Sequence, residues 1–407
     1  MTDETQRQQN PDEARRQQQN SEETQRRQDP EKTQRQQDPD AAQRQVPDEG
    51  LRQQNSDAAQ RQQILDEALL RLHTTGPEFD DWLSNHAPMA VEALAHHGHA
   101  DRVHHWIDEY EHVLEEAPRP SDPITVENWR EALGDPRRLG DWPSWFDNEL
   151  AEAEWTEVLA RWWPRLLPGI VASATHGVIR VGHAVRTLRE QGPNEARLAE
   201  LARAFGYWAA RWQPMVRPTA PSGGLDAASA LARVPRIPEQ DGGIRDRLAQ
   251  LDGLAGWESA QAALRLPGEA EAVPDAVRAI VTAAVNRYLS HGHGSAVMLV
   301  HAATAPNAVL RVLPSLPREH WHDSAAFAWS ASAAVMSIYA PAEAAPTTEL
   351  PQAPDGSGAE EEIFDAAAAN GDAHVIKFAD TALDVRSWTG DATPLAAALR
   401  SAQLIGD

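Results

Sequence analysis

From Ile64 onward, apolar residues recur three and four positions apart. The segments ILDEALLRLH, PMAVEALAHHG, ELAEAEWTEVLARWWPRLL, ARLAELARAFGYWAARW and PDAVRAIVTAAVNRYLSHG each draw an apolar stripe along one face of a 3.6-residue helix. Alternating β-branched runs, the mark of half-buried strands, are scarce. Proline and glycine punctuate the pattern at 117–123, 214–224, 236–243 and 341–358, the last reading as a long surface loop. Residues 1–63 differ. They repeat TQRQQNPDE, TQRRQDPEK and TQRQQDPDA with a period of about nine and almost no large apolar side chain, so they cannot bury enough surface to offset their ordering entropy. The pattern predicts an all-α fold: a disordered Gln-rich tail over 1–63 and one large helical domain over 64–407.

Composition narrows the function. With 41% hydrophobic residues in 407, a large core is available. The absence of cysteine removes disulfides, zinc ribbons, iron–sulfur clusters and cysteine nucleophiles. A net charge of −24 argues against nucleic acid or anionic membrane as partner. The opening MTDETQRQQN has no apolar run and AAFAWSASAAVMSIYA is too short and small to span a bilayer, so the expectation is a soluble, cytoplasmic protein. A homo-oligomer remains compatible with the sequence.

No GxGxxG in a strand–helix context, GxxxxGK[ST], GxSxG or HExxH occurs, which leaves chemistry to histidines and carboxylates. AHHGHADRVHHW is the densest histidine cluster, but it straddles a helix end beside Asp101 and Arg102 and reads first as solvated surface, as do HGH at 291–293 and EHWH at 319–322. The quieter histidines are better placed. In PGIVASATHGVIRVGHAVRTL, His176, Arg180 and His183 share one face of an apolar helix, where Gly177 and Gly182 admit a close neighbour. His301 sits in the apolar GSAVMLVHAATAP. His86 opens a helix with Asn85 as N-cap and Pro88 in its first turn; Asp372 caps a helix on which His374 and Lys377 share a face.

Lys377 stands out because only Lys32 and Lys377 are lysines, against 35 arginines. The plain reading pairs it with Asp380 at i+3 and makes the histidines hydrogen-bonded core residues. The sharper reading is chemical. A buried amine loses its charge, and a neutral amine adds carbon dioxide to become a carbamate, an anionic oxygen ligand; a guanidinium has no such route. Neutral imidazoles are common ligands of first-row metals.

The segments NHAPMAVEAL, NWREALGDPRRLGDWPSWF, WPRLLPGIVASATHGVIRVGHAV, LVHAATAPNAV and DAHVIK, in that order over roughly 65–400, resemble the questin oxidase-like family. The resemblance implies a mostly helical oxygenase acting on aromatic polyketides such as anthraquinones. For one branch it implies an NADPH-dependent Baeyer–Villiger-like step. For another it implies ring cleavage by non-haem iron held by four histidines and a carboxylated lysine. Carried onto this chain, the ligands are His86, His176, His301, His374 and Lys377.

The resulting expectation is an oxidoreductase of secondary metabolism in which Fe(II), with dioxygen and NADPH as the added reductant, oxidises a polycyclic aromatic polyketide in a pocket between helices. Arg180 or His183 would polarise a quinone carbonyl or phenolate. Asn85, Asp372 and Asp380 would orient ligands, and Trp162, Trp163, Tyr207 and Trp208 would supply stacking walls. The alternatives are an NADPH-dependent oxygenase without metal, a helical binding protein whose histidines only pack, and a metallohydrolase with two metals.

Overall fold

The computed structural model describes residues 46–80, 82–215, 218–354 and 356–406, with side chains from residue 57. The greater part of the expected disordered tail lies outside the described residues. The chain divides into two units, Met1–Asp57 and Ala58–Asp407, and the site lies wholly within the second. Among the described residues the helices of ten residues or more are α1 (Val46–Leu72), α2 (Ala87–His96), α3 (Asp141–Glu152), α4 (Trp155–Leu166), α5 (His176–Gln191) and α6 (Glu195–Ala210). They continue with α7 (Val273–His291), α8 (His301–Val312), α9 (Trp321–Tyr339), α10 (Ala359–Asn370), α11 (Ala373–Thr389) and α12 (Thr393–Ile405). The sheet among the described residues is one hairpin, β1 (Glu78–Phe79) with β2 (Leu83–Ser84). The fold is all-α, as its periodicity predicts.

Four helices position the site. Helix α2 packs on α5, α5 on α8, α8 on α11, and α11 back on α2, which closes a ring. Each is built for the interior. Residues 87–95 of α2 and 176–188 of α5 are buried without exception, so these helices present no solvent face. The glycines of α5 permit the close crossings: a Cβ on Gly182 would lie 2.5 Å from that of Ala308 in α8, and one on Gly177 2.6 Å from that of Trp208 in α6.

One local expectation needs correction. The helix expected to start at Ile64 starts at Val46, because the Gln- and Arg-rich sequence before Ile64, though polar, is made largely of good helix formers. The helix expected to carry His176, Arg180 and His183 is present as α5 and is preceded by a break. Ser173, Ala174 and Thr175 have φ of 46°, 53° and 69°, a left-handed step that ends one helical piece before α5 begins at His176. The stretch Ala296–Ser315, spanning α8, has the length and composition to cross a membrane, but 78% of its most apolar window is buried inside the protein, as in the core helix of a soluble fold.

Candidate metal centre

All four expected histidines fall at helix starts, and the ring of helices brings those starts together. His86 occupies the N-cap position of α2, where Asn85 Oδ1 accepts the Ala87 N–H at 2.9 Å and Pro88 takes the first turn. His176 and His301 are the first residues of α5 and α8. His374 follows Asp372, whose carboxylate caps α11 by accepting the His374 N–H at 2.7 Å. The Nε2 atoms of His86 and His176 are 2.8 Å apart, and those of His176 and His301 are 3.0 Å apart. The ring of His374 lies 4.4 Å from that of His86 and 5.6 Å from that of His301, centroid to centroid.

The opposite ring nitrogens are held from outside. His176 Nδ1 donates to the Ser173 carbonyl at 2.6 Å, and His301 Nδ1 to the Met298 carbonyl at 3.1 Å. His374 Nδ1 meets Asp372 Oδ1 at 3.1 Å, and His86 Nδ1 lies 3.3 Å from the Tyr110 hydroxyl. A carbonyl can only accept, so the single proton of neutral His176 and of neutral His301 sits on Nδ1. Two lone pairs then face each other at 3.0 Å. Protonation is a poor remedy. His86, His176 and His301 are pushed well below the ordinary imidazole value, first by burial and then by neighbouring positive charge, that of Lys377 among it. A cation relieves the conflict. Imidazole nitrogens about 2.1 Å from one ion and at right angles to each other lie about 3 Å apart, the spacing of the His86–His176 and His176–His301 pairs, and the ligand nitrogens of His86, His176 and His374 all lie within 4.8 Å of one another.

Lys377, one turn into α11, completes the arrangement. Its side chain is fully buried and its Nζ has no hydrogen-bond partner. The pairing with Asp380 is not made. Burial lowers its pKa to about 7, against an opposing effect from the Asp372 carboxylate. Its charge would oppose protonation of all four histidines. The residues present fit a metal: converging lone pairs fixed by second partners, and a buried amine without one.

The left-handed step before His176 belongs to this geometry. Three successive non-glycine residues with positive φ cost about 1–2 kcal/mol each, and Thr175 is β-branched, the least suited kind. The step turns the Ser173 carbonyl onto His176 Nδ1 and exposes Ser173 and Ala174 to the adjoining cavity. Nothing in SATHG signals it, since no glycine marks the turn.

That cavity, of about 480 Å³, is lined by His86, His176, His301 and His374 at its floor. Its walls are Trp82, Leu83, Trp212, Ile244, Met298 and Tyr339, with Glu78, Arg211 and Arg245 as the charged members. The stacking walls expected from sequence are elsewhere: Trp162, Trp163 and Trp208 are core residues and none of them, nor Tyr207, lines the cavity. Amphipathic stripes selected them, whereas the aromatic wall comes from a hairpin, a loop and a helix end. Tyr207 stands just behind, its hydroxyl 2.6 Å from Ser84 Oγ and donating to Glu78 at 3.1 Å.

Arg180 and His183 do not line the cavity either. Both are buried on α5, Arg180 in an ion pair and His183, whose pKa burial lowers, in a hydrogen bond to a carboxylate. Arg180 donates to Glu200 at 2.6 and 2.9 Å, and His183 Nδ1 lies 2.6 Å from Glu92. Glu92 opens a second buried cluster, one to three turns along the same four helices. Arg186 of α5 joins Glu92 of α2, at 2.8 Å from Nε, to Asp380 of α11, at 2.7 Å from Nη1. Arg311 of α8 reaches Asp380 at 2.7 Å and Asp384 at 2.6 Å. Glu92 and Asp380 are held far below the ordinary carboxylate range by these guanidiniums despite full burial. Asp380 therefore ties the ligand-bearing helices together rather than orienting a ligand, while Asp372 touches His374 directly.

The dense histidine segment stays a polar surface. His97 meets Asp380 at 2.9 Å, His99 meets Asp365 at 3.2 Å, and His105 meets Glu109 at 3.3 Å. His96, His97 and Asp380 come within reach of one ion, but the Asp380 oxygens already accept from Arg186 and Arg311.

Residues 83–192 match the family model described as questin oxidase-like. The resemblance read from sequence is borne out over that span, which holds His86 and His176; His301, His374 and Lys377 lie beyond it. No curated protein matches the chain. The questin oxidase-like match suggests an oxidoreductase, an oxygenase acting on polyketide substrates.

Proposed function

We propose that the protein is a mononuclear non-haem iron oxygenase that oxidises, and in doing so cleaves, a ring of a polycyclic aromatic polyketide of the anthraquinone kind. The observation that carries this reading is the pair of His176 and His301 lone pairs held 3.0 Å apart, together with a buried Lys377 amine that has no hydrogen-bond partner among the described residues. In this reading His86, His176, His301 and His374 are neutral nitrogen donors. Lys377 is the anionic one: its neutral Nζ attacks the carbon of carbon dioxide, an N–C bond forms, and one proton leaves to solvent, giving a carbamate. Three helix starts, those at His86, His176 and His374, converge here, and their partial positive charges favour an anion at the centre over an ammonium.

Fe(II), when bound, supplies the one-electron chemistry that dioxygen needs to react with a closed-shell aromatic ring. The chain does the rest. The Ser173 and Met298 carbonyls and the Asp372 carboxylate fix which nitrogen each imidazole presents. Trp82, Trp212 and Tyr339 offer flat apolar surface to a fused-ring substrate and exclude water from it, and 480 Å³ lies within the range of small-molecule pockets. Arg180 and His183, held by Glu200 and Glu92, act on substrate only through the position of α5. NADPH enters as an external reductant.

Oxygen uptake by Fe(II)-loaded protein with hydroxylated anthraquinones, with and without NADPH, tests the proposal. Substrate-dependent uptake and incorporation of labelled oxygen into a ring-opened product are expected. Turnover by metal-free protein with NADPH alone would replace this reading with the metal-independent one.

A further inference from the structure

The charges around the cavity are unevenly matched. Arg211 is ion-paired with Glu78, which also accepts from the Tyr207 hydroxyl. Arg247, just outside, donates to the Ile338 carbonyl at 2.8 Å and stacks 4.8 Å from the centre of the Tyr339 ring. Arg245 lines the cavity and has no ion pair or hydrogen bond among the described residues.

Its base is fixed. Arg245 sits on the short helix Ile244–Ala249, anchored from within by Arg247. The step before it is packed as well: the ring of Trp82 lies against Gly243, where a Cβ would meet it at 3.6 Å. Trp82 itself is 59% exposed, a large apolar surface at the rim. Histidines at the floor, aromatic walls and a free guanidinium at the rim describe a ligand that is apolar and flat at one end and anionic at the other.

We infer that Arg245 is a specificity-determining residue that binds a carboxylate on the aromatic substrate, at the end of the molecule away from the histidine floor. The forked guanidinium matches a carboxylate in two parallel hydrogen bonds, a geometry that a phenolate cannot fill. The inference rests on the reading of the cavity as the substrate site. It does not depend on bound metal.

Anthraquinone-2-carboxylate and the neutral anthraquinone-2-carboxamide serve as probes, with quenching of tryptophan fluorescence in the purified full-length protein as readout. Wild type should bind the acid about tenfold more tightly than the amide, a difference of about 1.4 kcal/mol. Arg245→Gln should abolish that preference while leaving the affinity for the amide unchanged, and as a surface substitution it should not disturb folding. Arg245→Lys should restore part of it. Equal binding of the two probes by wild type, or a preference that survives Arg245→Gln, would overturn the inference and leave the cavity reading intact. If neither probe binds, the polycyclic substrate reading falls and the role of Arg245 falls with it.

Discussion

Lys377 and Asp380 lie one turn apart on α11, both fully buried, and their surroundings are opposites. Asp380 accepts from Arg186 and Arg311 and meets His97, three cationic or cationisable groups drawn from three other segments. Lys377 Nζ has no hydrogen-bond partner among the described residues. A buried charge is tolerated when it is paired, and a buried amine with no partner is a liability of several kcal/mol that a fold keeps only for a use. The comparison separates two layers of one ring of helices. The charged layer holds the helices together; the neutral layer, at their N-terminal ends, is left unsatisfied by protein atoms and invites a metal.

Substitutions at the two positions should therefore differ in sign. Asp380→Ala leaves Arg186 and Arg311 facing each other in the interior and should cost about 3–5 kcal/mol, read by denaturant unfolding of metal-free protein. Lys377→Met, of similar length, should raise metal-free stability by about 1–3 kcal/mol, because it removes an unpartnered buried amine. If both variants lose stability equally, the distinction between the layers is void.

Acid should attack the charged layer by the same logic. Glu200, held by Arg180 and His73, titrates near 2 in the fold against an ordinary 4.5. A lowered folded pKa contributes stability that is present above about pH 4.5 and lost as pH falls toward 2, roughly 3 kcal/mol for this group alone. Glu92, against Arg186 and His183, and Asp380, against Arg186, Arg311 and His97, shift in the same direction. Thermal melts from pH 6 to pH 3 should show a steep fall below pH 4.5, and a flat profile would mean that these carboxylates are not paired in solution.

Smaller effects sharpen the geometry. Gly182→Ala drives a methyl group to within 2.5 Å of Ala308 and should cost about 1–3 kcal/mol by forcing α5 and α8 apart. Asp372→Ala removes the cap of α11, worth about 1 kcal/mol, and frees the His374 ring, so metal affinity should fall by more than the lost stability accounts for. Equal losses would reduce Asp372 to a cap.

The fold class was legible because periodicity reports directly on helices, and the candidate histidines because a polar residue in an apolar helix is conspicuous. Lys377 was legible for a different reason: in a chain that uses arginine almost everywhere else, the rare lysine marked itself. What stayed hidden depended on contacts distant in sequence. The pairing of Arg180 with Glu200 and of His183 with Glu92 took both off the cavity, and nothing in VIRVGH announces those partners. The left-handed turn at Ser173–Thr175 lacks the glycine that usually marks one. Trp82 and Trp212 form the aromatic wall from a hairpin and a loop, where no periodic stripe points at them.

The central claim is that the neutral layer holds one metal. Elemental analysis of anaerobically purified full-length protein, wild type beside Lys377→Arg and His301→Ala, tests it most directly. The account predicts about one iron ion per chain in wild type, lost in both variants while their circular dichroism stays helical. Wild-type protein that holds no metal after Fe(II) reconstitution, or Lys377→Arg protein that keeps it, would contradict the account.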